Sequence, residues 1–364
     1  MFATLGGALP QPPVPSLGEA KQAGRGDALA DDRVAVVVGD QVAAGLEPVT
    51  DGGLRHPDGG RHVLGSLDGI DGGASKNPSA RRAPTWREPI LVDEWRFVAS
   101  LVDGSAKQSL PGPYTLGRLL DAGPISRETA TLAIAEALNA EIGSLAGAGC
   151  PLIEVVEDAA TQVGDSPAER RLFVEAQRRL LRGLDGGGVD GDGPQHGSPH
   201  LTLAIRGGNA DTAGAATILD APYTSYLFDL CAGPDNWRLI VDVPTDRGVI
   251  VGAADAGSSS PDALELLAFA IGYAASTRGR GHDRVGVATS GDMIGLDYPT
   301  ALAKMGRVGE IAALYAGPPG ALAKALDPRA IDARSAGLGR YAPGPPVLGR
   351  DRETREGGSP RSNE

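Results

Sequence analysis

The residues best suited to chemistry lie just past apolar runs. Arg206 follows Leu201–Ile205, Glu157 follows Leu152–Val156, Asp255 follows Val249–Ala254 and Ser290 follows Val285–Thr289. Asp229 sits near the end of Tyr226–Leu230, and Asn209 lies three residues beyond Arg206. Asp51 and Arg55 follow Pro48, and Gly112 is the centre of Pro111-Gly112-Pro113. A guanidinium among carboxylates does one of two things. It holds a ligand carboxylate or phosphate through charge-assisted hydrogen bonds, or it pairs internally, here with Asp229 or Glu157. The first reading predicts a small anionic ligand and the second a structural ion pair.

Other reactive types are sparse. His56 and His62 share the loop His56-Pro57-Asp58-Gly59-Gly60-Arg61-His62, a loose metal spacing with no carboxylate or thiol frame in the sequence around it. His196 and His282 fall in polar loops. Cys150 and Cys231 each adjoin a predicted strand and read as small buried hydrophobes, with no CxxC pair and no disulfide framework. No Gly-x-Ser-x-Gly elbow, Walker loop or GxGxxG after a first strand occurs.

The elements that must position these residues follow from the pattern. Eight strands are predicted near Phe2–Leu5, Pro48–Asp51, Lys107–Leu110, Leu152–Val156, Leu201–Ile205, Tyr226–Leu230, Val249–Ala254 and Val285–Thr289. They lack polar alternation, as strands buried on both faces do, and most precede helical periodicity. Helices are predicted over Glu169–Leu184, with Leu172, Ala176, Leu180 and Leu184 on one stripe, and over Asp262–Ser276 behind a Ser260-Pro261 start. Pro10–Asp31 and Asp58–Pro89 read as Gly/Pro-rich insertions, and Asp185–Pro199 as a polar glycine loop. The pattern predicts one α/β domain, a (β/α)₈ TIM barrel over residues 1–330, with a disordered C-terminal tail over 335–364. Barrel sites are built at the C-terminal strand ends, which is where the residues above stand.

Several ordered pieces resemble one family. Lys107-Gln108-Ser109-Leu110-Pro111-Gly112-Pro113-Tyr114-Thr115-Leu116 is similar to the "PGPYT/GPxT" loop of cobalamin-independent methionine synthases, in their catalytic C-terminal barrel. Thr4–Gln11 resembles that family's "T-x-G-S-x-P-Q" opening, and Gln41–Gly52 its "Q-x-x-A-G-L-D-x-x-T-D-G-E" unit. Leu138–Ile142 with Ala148–Val155 follows its "A-G-x-x-x-I-Q-I-D-E-P" run, and Gly208-Asn209, Gly252–Asp255 and Ser290-Gly291 fall at its later turns. The resemblance spans about residues 1–320. It implies a barrel of the type shared with uroporphyrinogen decarboxylase, and methyl transfer from methyl-tetrahydrofolate to the homocysteine thiol in methionine biosynthesis.

That chemistry uses zinc held by His, Cys, Glu and Cys at strand ends. The matching positions here are Ala204, Arg206, Phe228 (or, slipped by one, Asp229) and Ser290. A second register would use His200 and Thr202, but places His200 at the strand's beginning, on the wrong face. The family's ammonium-binding acid falls on Gly53. No zinc and no other cofactor is therefore expected. Three functions stay open: the methyltransferase activity, a zinc-free enzyme or binding protein for a small anionic, amino-acid-like or folate-like metabolite, and a silent paralogue.

The composition is that of an ordinary soluble domain with a sizeable core available, at 41% hydrophobic and 22% charged residues. A net charge of −12 repels phosphate backbones, so no nucleic-acid partner is expected. No long apolar run predicts a membrane segment and no leader pattern opens the chain, so a cytoplasmic location is expected.

Overall fold

Seven strands form one parallel sheet in a computed structural model that describes residues 1–13, 26–57, 59–72, 78–184 and 198–327. They are β1 (Phe2–Thr4), β4 (Lys107–Pro111), β5 (Leu152–Val156), β6 (His200–Ile205), β7 (Ser225–Asp229), β8 (Gly248–Ala254) and β9 (Val285–Thr289), in the spatial order β1-β9-β8-β7-β6-β5-β4. All but β4, which reads Lys107-Gln108-Ser109-Leu110-Pro111, track largely apolar runs, and β7 and β9 are buried at every residue. Such runs suit strands covered on both faces. The sheet is curled, with helices outside it.

The eighth predicted strand, Pro48–Asp51, is only a bridge. Glu47 donates its N–H to Ala3 O at 2.8 Å, Val49 donates to Ser105 O at 3.0 Å, and Lys107 donates to Val49 O at 2.9 Å. The segment thus joins β1 to β4. Pro48 has no N–H to give a ladder, which keeps this stretch irregular. Inside the barrel Ala204, Leu227, Ile250 and Ala288 form one buried cluster.

Helices fill the connections: α1 (Gly26–Ala43), α2 (Gly60–Ser66), α3 (Val92–Ser100), α4 (Pro113–Leu119), α5 (Arg127–Gly147), α6 (Pro167–Leu180), α7 (Ala215–Ile218), α8 (Trp237–Asp242), α9 (Leu264–Ser276) and α10 (Tyr298–Ala316). The predicted Glu169–Leu184 helix begins two residues earlier and stops at Leu180. Ser166 caps it by accepting the Glu169 N–H, and Pro167 occupies the first turn. The Ser260-Pro261 start predicted for α9 is not used. Asp262 instead accepts the Asp255 N–H at 2.8 Å and Lys304 Nζ at 3.0 Å, so it is held outside the helix, which begins at Leu264.

The Asp58–Pro89 insertion has structure of its own. It contains α2 and an antiparallel pair, β2 (Asp68–Asp71) and β3 (Ser79–Thr85), laced by Arg82–Asp68 at 2.6 Å and Arg81–Asp71 at 2.7 Å. Contacts divide the chain at Pro318. The second unit's described residues carry one short helix, α11 (Ala321–Ala325). Residues 14–25 of the first insertion, most of the Asp185–Pro199 loop and the whole 335–364 tail lie outside the described residues. Among the described residues no helix is long and apolar enough to cross a membrane.

Candidate functional site

The turn after β4 fixes the floor of the site. Gly112 is the N-cap of α4, Pro113 stands in its first turn, and the two backbone N–H groups that follow would otherwise be orphaned. Glu157 takes them. Its Oε1 accepts from Tyr114 N at 3.0 Å and from Gln177 Nε2 at 2.6 Å, while Oε2 accepts from Thr115 N at 2.7 Å and Thr115 Oγ1 at 2.6 Å. A Cβ on residue 112 would lie 2.2 Å from Glu157 Cδ, so only glycine lets the loop close over this carboxyl. Burial pushes Glu157 up to about 7, against the pull of its four donors.

Above this floor, at the C-terminal ends of the strands, lies a cavity of about 340 Å³. Arg206 and Asp51 are on its wall, with Asp158, Asp292, Glu94 and the two histidines His56 and His62. Arg206 is only 13% exposed. Its partners are neither Asp229 nor Glu157, as the sequence suggested, but Asp158 and Asp292. Nε and Nη2 grip Asp158 in a fork at 2.9 and 2.8 Å, and Nη1 donates to Asp292 Oδ1 at 2.9 Å and Gly6 O at 3.0 Å. Four of the five guanidinium N–H groups are thereby used. Burial alone would lower the Arg206 pKa, but attraction to Asp158 and Asp292 outweighs it and holds the group charged. The side chain ties together the loops after β1, β5 and β9.

The other expected site residues are engaged elsewhere. Asp229 accepts from Gly207 N at 2.9 Å, Cys231 N at 2.8 Å and Ala232 N at 2.9 Å. Asn209 exchanges bonds with Asp235, Ser290 accepts the Ala256 N–H, and Asp255 accepts the Gly257 N–H. Arg55 pairs with Asp31 and stands over the Phe97 ring, 5.0 Å from its centroid. Asp51 is half-buried and accepts from Gly53 N at 2.9 Å. Burial is also the main cause that raises its pKa.

Strand geometry decides the zinc positions. Leu227 points into the barrel cluster, so its neighbour Phe228 points to the helices, where it stacks on Tyr226 at 6.2 Å. The inward residue is Asp229, the position reached by the one-residue slip. Ala204, Arg206, Asp229 and Ser290 then share the inner face. Ala204 has no donor atom, Arg206 is a cation, and Asp229 already accepts three backbone N–H groups, so this set does not fit a strand-end zinc. Gly53 has φ +68°, and a Cβ there would meet Ala8 Cβ at 2.8 Å, so a side chain in its place would be strained. His200 is the first residue of β6 and lines a separate cavity of about 520 Å³ at the opposite end of the strands. Burial lowers its pKa to about 4, so it is held neutral.

One grouping was hidden from the sequence. Glu94, in the first turn of α3, brings its Oε1 to 2.6 Å from His56 Nε2 and 3.9 Å from His62 Nε2. The carboxylate missing around the two histidines thus arrives from 32 residues beyond the second of them.

These features define a class: an α/β fold built on a curled, parallel seven-stranded sheet with helices outside. No family model and no curated protein matches the sequence. The likeness is to solved structures. One is a B12-independent methionine synthase from Shewanella sp. W3-18-1 in complex with selenomethionine, at TM-score 0.69 and 18% identity, covering 85% of this chain and 97% of that one. Another is the putative vitamin-B12-independent methionine synthase of Listeria monocytogenes, at TM-score 0.68 and 15% identity, covering 87% of this chain and 98% of that one. At such identity the likeness establishes the fold.

Proposed function

We propose that this chain binds a small amine-bearing metabolite of the amino-acid type at the C-terminal mouth of its barrel. The observation that carries this is the charge of the cavity wall. Asp51, Glu94, Asp158 and Asp292 face one guanidinium, Arg206, whose donors are nearly all used. An anion entering here would meet two carboxylates already clasping the only arginine, whereas an ammonium group would meet a half-buried Asp51 that no ion pair engages among the described residues. This revises the anionic ligand expected from Arg206 alone. The selenomethionine held by the Shewanella protein, itself an amino acid, supports the same class of ligand.

Methyl transfer to a thiol is the second reading, and the shared fold favours it. Against it, the inner-face residues at the strand ends supply no donor set for the zinc that would acidify a thiol.

A thermal-shift series tests the proposal with free amino acids, their N-acetyl derivatives, phosphate and dicarboxylates. A ligand at about 100 times its Kd adds roughly 2.7 kcal/mol, a rise of several degrees for a chain of this size. The expected pattern is stabilisation by free amino acids alone. Stabilisation by phosphate or dicarboxylates, with none by amines, would restore Arg206 as an anion receptor.

A further inference from the structure

We infer that His56, His62 and Glu94 form a binding site for a divalent transition-metal ion, zinc or a similar borderline cation, at the edge of the barrel mouth. This goes beyond the amine-binding reading and does not depend on it. The donor atoms of the three side chains lie within 4.8 Å of one another. Each comes from a different place: His56 from the loop before α2, His62 from the first turn of α2, and Glu94 from the first turn of α3. None is buried away from solvent, with side-chain exposures of 27%, 31% and 19%.

The way they converge points to a cation rather than to a plain ion pair. The imidazole rings are stacked face to face, 3.4 Å between centroids and 8° from parallel. Both Nε2 atoms lie near the same oxygen, Glu94 Oε1, His56 within hydrogen-bond reach at 2.6 Å and His62 at 3.9 Å. One imidazole is enough to satisfy that oxygen, and stacking a second against it gains little if both carry charge. A metal ion does explain two rings and one carboxylate aimed at a common point, because it takes a lone pair from each. A slight fanning of the stacked rings brings all three to it.

The donor types select the ion. Two imidazoles and a carboxylate are the ligands of open zinc sites and of the facial triad used for iron(II), whereas magnesium and calcium take oxygen ligands. Three protein ligands leave at least one coordination position free. His56, His62 and Glu94 all line the 340 Å³ cavity, so that position faces the space where a ligand would sit. Asp51 is on the same wall and adds negative charge that favours a cation. The metal is thus placed not at the strand ends but on the second βα loop and its insertion. Metal chemistry in this barrel would therefore start from a different corner of the mouth.

The test uses the untagged full-length chain. After treatment with a chelator and its removal, the protein is titrated with Co²⁺, whose ligand-field absorption reports nitrogen and oxygen coordination, and then competed with Zn²⁺. Metal content after dialysis is read in parallel. The expected result is one equivalent of Co²⁺ displaced by Zn²⁺, a higher melting temperature with Zn²⁺, and no response to Mg²⁺. His62→Gln and Glu94→Gln should each weaken binding on the order of tenfold or more, since losing a direct ligand costs at least what losing its outer hydrogen-bond partner does. His200→Gln, on the opposite face, should bind as the wild type does. If a ligand variant fails to fold, the Co²⁺ spectrum of the wild type still decides, because histidine nitrogen must appear in its coordination shell. Absence of Co²⁺ and Zn²⁺ binding by the folded wild type would overturn the inference. So would full stoichiometric binding by both ligand variants.

Discussion

Glu157→Gln is the substitution that most sharply exposes how the floor of the mouth is held. The amide is isosteric but carries two N–H groups where the ionised carboxylate has only acceptors. If its oxygen keeps the two Thr115 donors, its NH₂ faces Tyr114 N–H and Gln177 Nε2. Gln177 can turn over, because its other end only accepts from the Tyr223 hydroxyl at 2.5 Å, and that hydroxyl can accept in exchange. Tyr114 N–H cannot move, and a buried orphan of this kind costs about 1–3 kcal/mol.

The second effect is pH. Burial raises Glu157 from its ordinary 4.5 to about 7. In the unfolded chain the proton leaves near 4.5, and in the folded chain only near 7, so between them the folded state binds more protons and stability falls as pH rises. From pH 5.5 to pH 8.5 this amounts to about 2 kcal/mol. His200, kept neutral to about 4, slopes the opposite way below its ordinary 6.5, so the wild-type curve alone mixes two effects. Glutamine does not titrate, and the difference between wild type and Glu157→Gln removes His200. Urea denaturation of both proteins at pH 5.5, 7 and 8.5 should show the wild-type advantage shrinking by about 2 kcal/mol across that range. An advantage that stays flat or grows would mean that four donors keep the carboxylate ionised, and the reasoning from burial would be refuted.

Further expectations concern the charges. Lys107 and Glu154 form a buried pair at 2.6 Å in the barrel interior, so Glu154→Gln should lower stability by roughly 3–5 kcal/mol in denaturant titration. A loss under 1 kcal/mol would mean water reaches the pair. Arg206→Ala releases Asp158 and Asp292 to repel each other. Because these carboxylates are 42% and 47% exposed, the expected loss is only about 1–3 kcal/mol, with Arg206→Lys intermediate because it keeps the charge without the fork. Unchanged or raised stability in Arg206→Ala would argue that this arginine is held ready for a ligand.

Most of the barrel was legible because its strands are largely apolar runs ending in turn residues, and Leu152–Val156 forms β5 although Glu154 stands in its middle. Pro48–Asp51 also read as a strand, and only its missing N–H made it a bridge. The β2–β3 pair was not legible: Ser79–Thr85 contains two arginines and a proline, a composition that local pattern does not read as a strand. Arg206 was found as the arginine of the mouth, but its partners were misjudged. Asp158 and Asp292 approach it from the loops after β5 and β9, and only the closed barrel brings those together. Glu94 left no signal, since an acid in a helix's first turn is ordinary and its nearness to His56 is a tertiary fact. The choice between Phe228 and Asp229 stayed open in the sequence because a fully buried strand shows no alternation to fix which face points inward.

The central claim is that the mouth recognises an ammonium group through Asp51. Isothermal titration calorimetry of the best-stabilising amino acid and its N-acetyl derivative, against wild type and Asp51→Asn, tests it most directly. The account predicts binding of the free amino acid to the wild type, and a loss on the order of tenfold or more, about 1.4 kcal/mol, both on acetylation and on Asp51→Asn. Equal affinities for the free and acetylated ligands, or an unchanged affinity in Asp51→Asn, would contradict it.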